Sequence, residues 1–244
     1  MDDTTYVLGY WNIEENVKRS VEHYKHFMPR TLKMLGASKM VFFCNEDYWE
    51  DYFNNHVKSK NISVIRIEIE ELPTFELSKY YLQSCKNQKL ETKYWRERGI
   101  QHYSREYKQS GEESYLKVFS VWTSKIGLIK KVIEVDPLQS NRFAWVDVSL
   151  SRMNGKRNNW NFMSSNYNDN YIYHYNSKSK YLGVPISTSA GFLYGYKDMW
   201  KELILLYEDQ IEKQKNSNYA HDEETLLEII YRENKDLFFN ISSL

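Results

Sequence analysis

The chain has 244 residues, of which 41% are hydrophobic and 16% aromatic, and 33 Lys plus Arg balance 33 Asp plus Glu to a formal net charge of zero. A chain without net positive charge has no global field to attract nucleic acid or anionic lipid, and this apolar content is too high for a disordered chain. We therefore expect one soluble globular domain spanning 1–244.

The first third of the chain alternates apolar β-like runs with helical periodicity. The pattern predicts a strand at 5–11, a helix at 17–36, a strand at 40–44, a helix at 48–57 and a strand at 62–69. Pro29 either disrupts the first helix near its end or begins a second helical piece, and Gly36 fits a C-terminal cap. The β-α-β-α-β order predicts a parallel sheet with right-handed crossovers.

The next segment, 74–113, is polar and helical in composition but has no single apolar face. Aromatic residues are scattered among its charges, at Tyr80, Tyr81, Tyr94, Trp95, Tyr103 and Tyr107. We expect a helical insertion here, which either covers one side of a cleft or lies exposed with its aromatic residues as anchors.

A broad apolar face predicts one long helix over 115–135, ended by Asp136 and Pro137. Lys125 interrupts that face, although a solvated lysine would prefer the opposite side. Either the lysine contacts a ligand phosphate, or its stem lies on the apolar surface while its amine reaches water.

The strand that follows, Phe143-Ala144-Trp145-Val146, ends in a single carboxylate, Asp147. An ionised carboxylate beside an apolar interior has to be paired, bound to metal or placed at the edge of the sheet. Ligands of open α/β sheets bind at the carboxyl ends of the strands. Asp147 either holds a metal or a sugar hydroxyl, or it caps a turn.

The last part of the chain predicts a polar binding loop, a strand of small residues and two helices. The predicted segments are the loop at 151–180 with a short strand around Ile172, and a segment at 181–196 that either brings a small-residue strand at 189–195 to the ligand or forms a hairpin. Helices at 198–215 and from 225 and a turn with a terminal strand at 234–239 complete the chain. Small residues such as Ser189 and Gly191 allow a ligand to approach the backbone. Asp222 fits the N-cap of the last helix.

The absence of a signal peptide or a long apolar run predicts a cytoplasmic protein without a membrane span. Its two cysteines, Cys44 and Cys85, are then expected to be reduced, with one disulfide as the alternative. Cys44 ends an apolar run and is expected to be a small core residue. The abundance of Asn, Lys, Ile and Tyr indicates an AT-rich viral or bacterial genome.

Four motifs follow one another in an informative order: W-T-S-K-I-G-L-I at 122–129, W-V-D-V-S at 145–149, S-A-G-F-L-Y-G at 189–195 and H-D-E at 221–223. Each motif is loose, and their order and spacing carry the likeness. The chain resembles glycosyltransferases of the GT-A fold, most closely the HtrL/YibB (WlaTC-type) group, over nearly its whole length, from Tyr6 to Phe239.

The resemblance implies an α/β fold with a GT-A-like, Rossmann-type mixed sheet flanked by helices. It implies a glycosyltransferase that moves a hexose from a nucleotide-sugar donor, with UDP as the expected nucleotide, to a glycan or another hydroxyl acceptor. Asp147 would belong to a DxD-like motif that holds Mn²⁺ or Mg²⁺. Ser149 replaces the second acid of that motif, however, and one carboxylate provides too few oxygen ligands for a hard cation. Either His174, Asp169 or Asp222 completes the metal site, or Lys and Arg neutralise the diphosphate instead.

The resemblance also assigns roles to individual residues. The expected catalytic base is Asp222, with Glu223 second, unless Asp222 is only a helix cap. The expected metal ligands are Asp147 and His174. The expected donor-binding residues are Trp11, Asn12, Arg19, Lys125, Asp147, Ser149, Arg152, Ser189 and Gly191. Among these, Trp11 is otherwise a core residue and Arg19 otherwise a surface arginine.

Two other classes of function remain open at this point. A nucleotide-sugar or carbohydrate-binding protein without catalysis would explain Ser149. A nucleic-acid-binding protein that stacks bases on Tyr and Trp is the second alternative, and the zero net charge argues against it.

Overall fold

In a computed structural model of the chain, a seven-stranded mixed sheet runs through the protein between two layers of helices. The structure describes residues 3–16, 19–56, 61–87, 106–153, 168–215 and 221–241, without the side chains of 54–56 and 84–87. The predicted helix start at Val17, the 88–105 part of the predicted insertion, the 154–167 part of the polar loop and the side chain of Cys85 lie outside this description.

The sheet has the strand order β3-β2-β1-β4-β8-β5-β9. Its strands are β1 (Thr4–Tyr10), β2 (Lys39–Cys44), β3 (Ile62–Arg66), β4 (Arg142–Val146), β5 (Ile172–Tyr175), β8 (Ser189–Tyr196) and β9 (Phe238–Asn240), and a small hairpin adds β6 (Lys180–Tyr181) and β7 (Val184–Pro185). β8 runs antiparallel to β4 and β5, while the other paired strands are parallel. The predicted α/β class with a mixed, Rossmann-type sheet is confirmed.

The helices are α1 (Val21–Leu35), α2 (Asp47–His56), α3 (Phe75–Asn87), α4 (Glu112–Thr123), α5 (Lys125–Val135), α6 (Lys197–Gln214) and α7 (Glu223–Glu233). Ser20 caps α1 by accepting a hydrogen bond from the His23 amide, and α1 continues through Pro29 to the cap at Gly36, whose φ is 59°. α3 confirms the start of the predicted helical insertion. No helix among the described residues is long and apolar enough to cross a membrane.

Both faces of the sheet are buried, which is why its central strands read as continuous apolar runs. Along β1, Tyr6 and Leu8 belong to the core on one face and Val7 to the core on the other, and all three are fully buried. Cys44 is a free thiol in the core, as its apolar neighbours predicted.

The predicted single helix over 115–135 is wrong, because it divides into α4 and α5 at Ser124. Thr74 inserts its hydroxyl at the junction, where its Oγ1 lies 2.6 Å from Thr123 Oγ1 and 2.7 Å from Ser124 Oγ. Side-chain hydroxyls that bond to nearby backbone and to one another compete with the helical ladder. The break places Lys125 in the first position of α5.

The predicted strand at 62–69 is also too long, since β3 ends at Arg66. Glu68 and Glu71 form a reciprocal capping box that turns the chain into a short 3₁₀ helix at Ile69–Glu71. Two buried isoleucines continue the apolar pattern into this helix, and periodicity alone therefore does not mark the end of the strand.

Candidate functional site

The carboxyl ends of β1, β4 and β5 and the amino end of β8 meet at one edge of the sheet, because β8 is antiparallel to its neighbours. The order β3-β2-β1-β4 reverses its direction between β1 and β4. Ligands of open α/β sheets bind at such a switch point. The fold therefore predicts a ligand site at the residues that follow Tyr10 and Val146.

A cleft with a volume of about 240 Å³ opens at this point. It is lined by residues from each strand end, including Trp11, Asn12, Asp147, Ser149, Ser177, Ser189 and Gly191, and by Arg19, Trp122, Lys125, Arg152, Glu223 and Glu224 from the surrounding segments. The structure thus brings the nine predicted donor-binding residues together with Glu223.

Lys125 lies at the floor of the cleft, where its side chain is 6% exposed. Its Nζ donates to Asp147 Oδ1 at 2.9 Å, to Glu223 Oε1 at 2.8 Å and to the Ala190 carbonyl at 3.3 Å. Burial opposes the charge on Lys125, but the two carboxylates hold its pKa above the ordinary value. The amine therefore joins the end of β4 to the start of α7 and places its positive charge between the two acids.

Arg152 lies above Asp147, with Nη2 3.8 Å from Asp147 Oδ2. Its Nη1 donates to Ser149 Oγ at 2.7 Å and to the Ser149 carbonyl at 3.0 Å. Burial opposes ionisation of Asp147, but Lys125, Arg152 and Arg19 together hold its pKa below the ordinary value. Burial and the nearby Arg19 lower the pKa of Arg152. Two guanidinium groups thus lie close enough to repel each other, and an anion between them would relieve that repulsion.

Trp11 and Asn12 follow β1 and differ in their surroundings. Trp11 is 4% exposed and donates from Nε1 to the Ile67 carbonyl at 2.9 Å, so it is mainly a core residue that presents an edge to the cleft. The buried Oδ1 of Asn12 has no hydrogen-bond partner among the described residues. A buried acceptor left without a donor is costly, which makes Asn12 Oδ1 a candidate ligand contact.

A second cavity of about 450 Å³ shares Tyr10, Asn12 and Tyr24 with the cleft. Aromatic rings from α1 and α2 line it, among them Tyr24, Trp49 and Tyr52. The buried Nε1 of Trp49 has no acceptor within the part of the chain that the structure describes. We call this aromatic cavity the side pocket. It offers ring faces, the N–H of Trp49 and the Oδ1 of Asn12.

Ser189 and Gly191, at the start of β8, also line the cleft. The Gly191 carbonyl accepts a hydrogen bond from the Asp147 amide at 2.9 Å, which fixes the turn after β4. A Cβ at Gly191 would lie 3.5 Å from Asp147 Oδ2, an ordinary contact. The lack of a side chain at Gly191 therefore leaves space beside the carboxylate rather than avoiding a clash.

The acids at the start of α7 have three different surroundings. Asp222 is fully buried, and its Oδ1 accepts from the Thr225 amide at 2.9 Å and from Thr225 Oγ1 at 3.0 Å. The capping prediction for Asp222 is confirmed, and the geometry does not support its catalytic prediction, because the carboxylate is not part of the cleft lining. Glu223 lies in the cleft but is bound to Lys125.

Glu224 is the acid that sequence reasoning missed. It lies in the cleft lining, partly exposed, and accepts from Ser177 Oγ at 2.7 Å and from Ser189 Oγ at 3.3 Å. The available signal was the run of acids before α7, but the run does not indicate which carboxylate faces the cleft. Once Asp222 is the cap, Glu223 and Glu224 occupy the first two helical positions.

The prediction of His174 as a metal ligand is not supported. Its ring is fully buried between Tyr231 and Phe238, with centroids 5.7 and 5.8 Å away, and it does not line the cleft. Burial lowers its pKa to about 4, so it is a neutral core histidine at pH 7. Among the described residues, no group of three or more His, Cys, Asp and Glu side chains is arranged to hold a metal ion.

Fold and cleft together define a mixed-sheet α/β protein whose candidate ligand site lies at the carboxyl ends of its parallel strands. The chain belongs to the family described as "Bacterial protein of unknown function (HtrL_YibB)", whose model matches residues 2–243. This confirms the family that the motif order predicted. No curated protein sequence matches the chain.

Two similar solved structures are forms of one enzyme. One is a crystal structure of the galactosyltransferase LgtC in complex with donor and acceptor sugar analogues, with 11% identity, a TM-score of 0.45, and coverage of 93% of this chain and 70% of that one. The other is an active-site mutant of LgtC, with 9% identity, a TM-score of 0.42, and coverage of 93% and 70%.

Proposed function

We propose that this protein is a glycosyltransferase that moves a hexose from a nucleotide-sugar donor, with UDP as the nucleotide, to a hydroxyl of a glycan or another acceptor. The observation that carries the proposal is a cleft at the switch point of the sheet whose lining combines the cationic Arg19 and Arg152 with the carboxylate of Glu224. Glycosyl transfer needs a cationic group for the leaving diphosphate and a carboxylate for the acceptor hydroxyl.

The position and size of the cavities support a nucleotide-sugar ligand. The cleft of about 240 Å³ and the side pocket of about 450 Å³ share residues, and together they fall within the roughly 300–1,000 Å³ typical of small-molecule sites. The side pocket has aromatic faces for a nucleobase, while the cleft has the arginines and Glu224 for the diphosphate and sugar. The motif order that resembles GT-A glycosyltransferases also supports a nucleotide-sugar ligand.

In the proposed reaction the donor's diphosphate lies between Arg19 and Arg152. The bond between the anomeric carbon and the diphosphate oxygen breaks, and the nucleoside diphosphate leaves with its electron pair. Arg152 is fixed by Ser149 and Asp147, so it offers an oriented fork rather than a mobile charge. The acceptor hydroxyl attacks the anomeric carbon of the hexose, and Glu224 takes its proton. Lys125 holds the end of β4 and the start of α7 at a constant separation.

A catalytically inactive nucleotide-sugar or carbohydrate-binding protein is the alternative, and the pairing of Asp147 and Glu223 with Lys125 favours it. Binding of a nucleotide-sugar with neither transfer nor hydrolysis would support this alternative.

A thermal-shift panel of UDP, GDP, CMP and their sugars tests the proposed function. A ligand at 100 times its Kd stabilises the folded state by about 2.7 kcal/mol, so we expect a clear increase in Tm with UDP and UDP-hexose. The variant Asp147→Ala should lose this increase, because Asp147 helps to orient Arg152. The absence of a shift with every nucleotide would contradict the proposal.

The side pocket leads to a prediction on the nucleobase. A uracil ring presents a carbonyl beside an imide N–H, which matches the N–H of Trp49 and the Oδ1 of Asn12. Trp49→Phe keeps an aromatic ring but removes the donor. One hydrogen bond contributes about 1 kcal/mol, so we expect the Kd of UMP to rise by roughly fivefold in isothermal titration calorimetry. The affinity for inorganic pyrophosphate should not change. An unchanged Kd for UMP would contradict the binding of the nucleobase in the side pocket.

A further inference from the structure

The strand-end acid Asp147 is where the family resemblance would put a divalent cation, but its oxygens already face donors. Oδ1 accepts from Lys125 Nζ at 2.9 Å and from Trp145 Nε1 at 3.2 Å. Oδ2 faces Arg152 Nη2 at 3.8 Å. Mg²⁺ and Mn²⁺ need several oxygen ligands with free lone pairs. A cation at Asp147 would also meet the positive charges of Lys125 and Arg152.

The position of the second acid reinforces this conclusion. Ser149 is fully buried, and its Oγ accepts from Arg152 at 2.7 Å, so the guanidinium lies beside the position that a second carboxylate would occupy. His174 packs in the core and does not line the cleft. The residues that are present therefore do not fit a divalent cation.

Arg152 has the properties that a replacement for the cation needs. Two hydrogen bonds to Ser149 and the charge of Asp147 fix one side of its guanidinium, and its side chain remains 23% exposed within the cleft lining. A guanidinium is planar, always charged and able to bind phosphate through two parallel hydrogen bonds. Arg19 lines the same cleft. Lys125 is already paired with two carboxylates, so it is less suited to bind an anion than Arg152 and Arg19.

We propose that Arg152, positioned by Asp147 and Ser149 and assisted by Arg19, supplies the positive charge for the donor's diphosphate, so that the donor binds without a divalent cation. This inference rests on the proposed function. Asp147 has the role of a positioning residue in this arrangement, since it orients the arginine and does not ligate a metal.

The test measures the Kd of UDP and of GDP by isothermal titration calorimetry in EDTA and in Mn²⁺. For the wild type we expect the better of the two ligands to have the same Kd, within twofold, in both buffers. Arg152→Gln should raise that Kd at least tenfold in both buffers, and Arg152→Lys should have a smaller effect because it keeps the charge but loses the fork. Arg19→Gln provides a second variant if Arg152→Gln does not fold.

The matched control is Arg142→Gln. Arg142 begins the same strand, β4, at its opposite end, and pairs with Asp169 at 2.7 Å outside the cleft. Its substitution should leave the Kd unchanged. Binding in Mn²⁺ that disappears in EDTA would overturn the inference and leave the proposed function intact. Binding in neither buffer would contradict the proposed function itself. An effect of Arg152→Gln no larger than that of Arg142→Gln would also overturn the inference.

Discussion

Lys125→Met is expected to lower the free energy of unfolding by about 3–5 kcal/mol, the loss typical of removing one partner from a buried ion pair. The methionine fills a similar volume, so the main effect is electrostatic. Asp147 and Glu223 would remain as two carboxylates beside each other, with side chains only 15% and 6% exposed and without their shared cation. Urea denaturation, followed by circular dichroism and extrapolated to water, measures the loss.

The matched control for this prediction lies on the same helix. Lys130 pairs with Glu208 at 2.7 Å, but the two side chains are 41% and 49% exposed, and exposed pairs contribute less than about 1 kcal/mol. Lys130→Met should therefore change stability little. Adding Glu223→Gln to Lys125→Met should recover part of the loss, because it removes one of the unpaired charges. Equal effects of the two lysine substitutions would contradict the assignment of Lys125 as a buried bridge.

The same lysine shows what the sequence predicts and what it does not. An apolar helix face interrupted by a lysine identifies Lys125 as unusual from local pattern alone. Its partners are 22 and 98 residues away in the chain, and no local pattern encodes that distance. The break at Ser124, which aims the amine into the cleft, depends on Thr74 and is equally non-local.

The sheet was easier to predict than the site, for a related reason. Strands buried on both faces require continuous apolar runs, such as Met40-Val41-Phe42-Phe43, and these are visible in any window of the sequence. The carboxyl ends of parallel strands must then meet at one edge, so the sequence predicts Asp147 and Asn12 as neighbours of a cleft. The sequence does not predict the side pocket, because Trp49 lies on an amphipathic helix, and the aromatic residues of such a helix are expected to pack in the core.

The acid cluster before α7 shows most clearly which feature of the site the sequence does not predict, namely the direction of each side chain. The residues from His221 to Glu224 predict a capped helix start near the site, and this is confirmed. Which acid faces the cleft depends on the direction in which each side chain leaves the first turn. The carboxylate of Asp222 accepts a hydrogen bond from its own helix, at the Thr225 amide. The carboxylate of Glu223 accepts from Lys125, and that of Glu224 accepts from Ser177 and Ser189.

This geometry leads to a prediction for catalysis. We expect Glu224→Gln to reduce the rate of UDP release from UDP-hexose by about 10²–10⁴-fold, the usual contribution of a general base. Water takes the place of the acceptor in this assay, so the identity of the glycan is not needed. Glutamine keeps the shape of the side chain and an oxygen that accepts from Ser177, but it does not take up a proton. The Kd of UDP should therefore remain within about twofold of the wild-type value, which places the loss in kcat.

Glu233→Gln is the matched control, since Glu233 lies at the last, exposed turn of the same helix, away from the cleft. It should leave the rate and the Tm unchanged. A rate for Glu224→Gln close to that of Glu233→Gln would exclude Glu224 as the base. A loss of UDP binding together with the rate would instead assign Glu224 to donor binding. Glu224 lines the same cleft as the two arginines and accepts hydrogen bonds from Ser177 and Ser189, and this position leads us to expect a loss of rate with intact UDP binding.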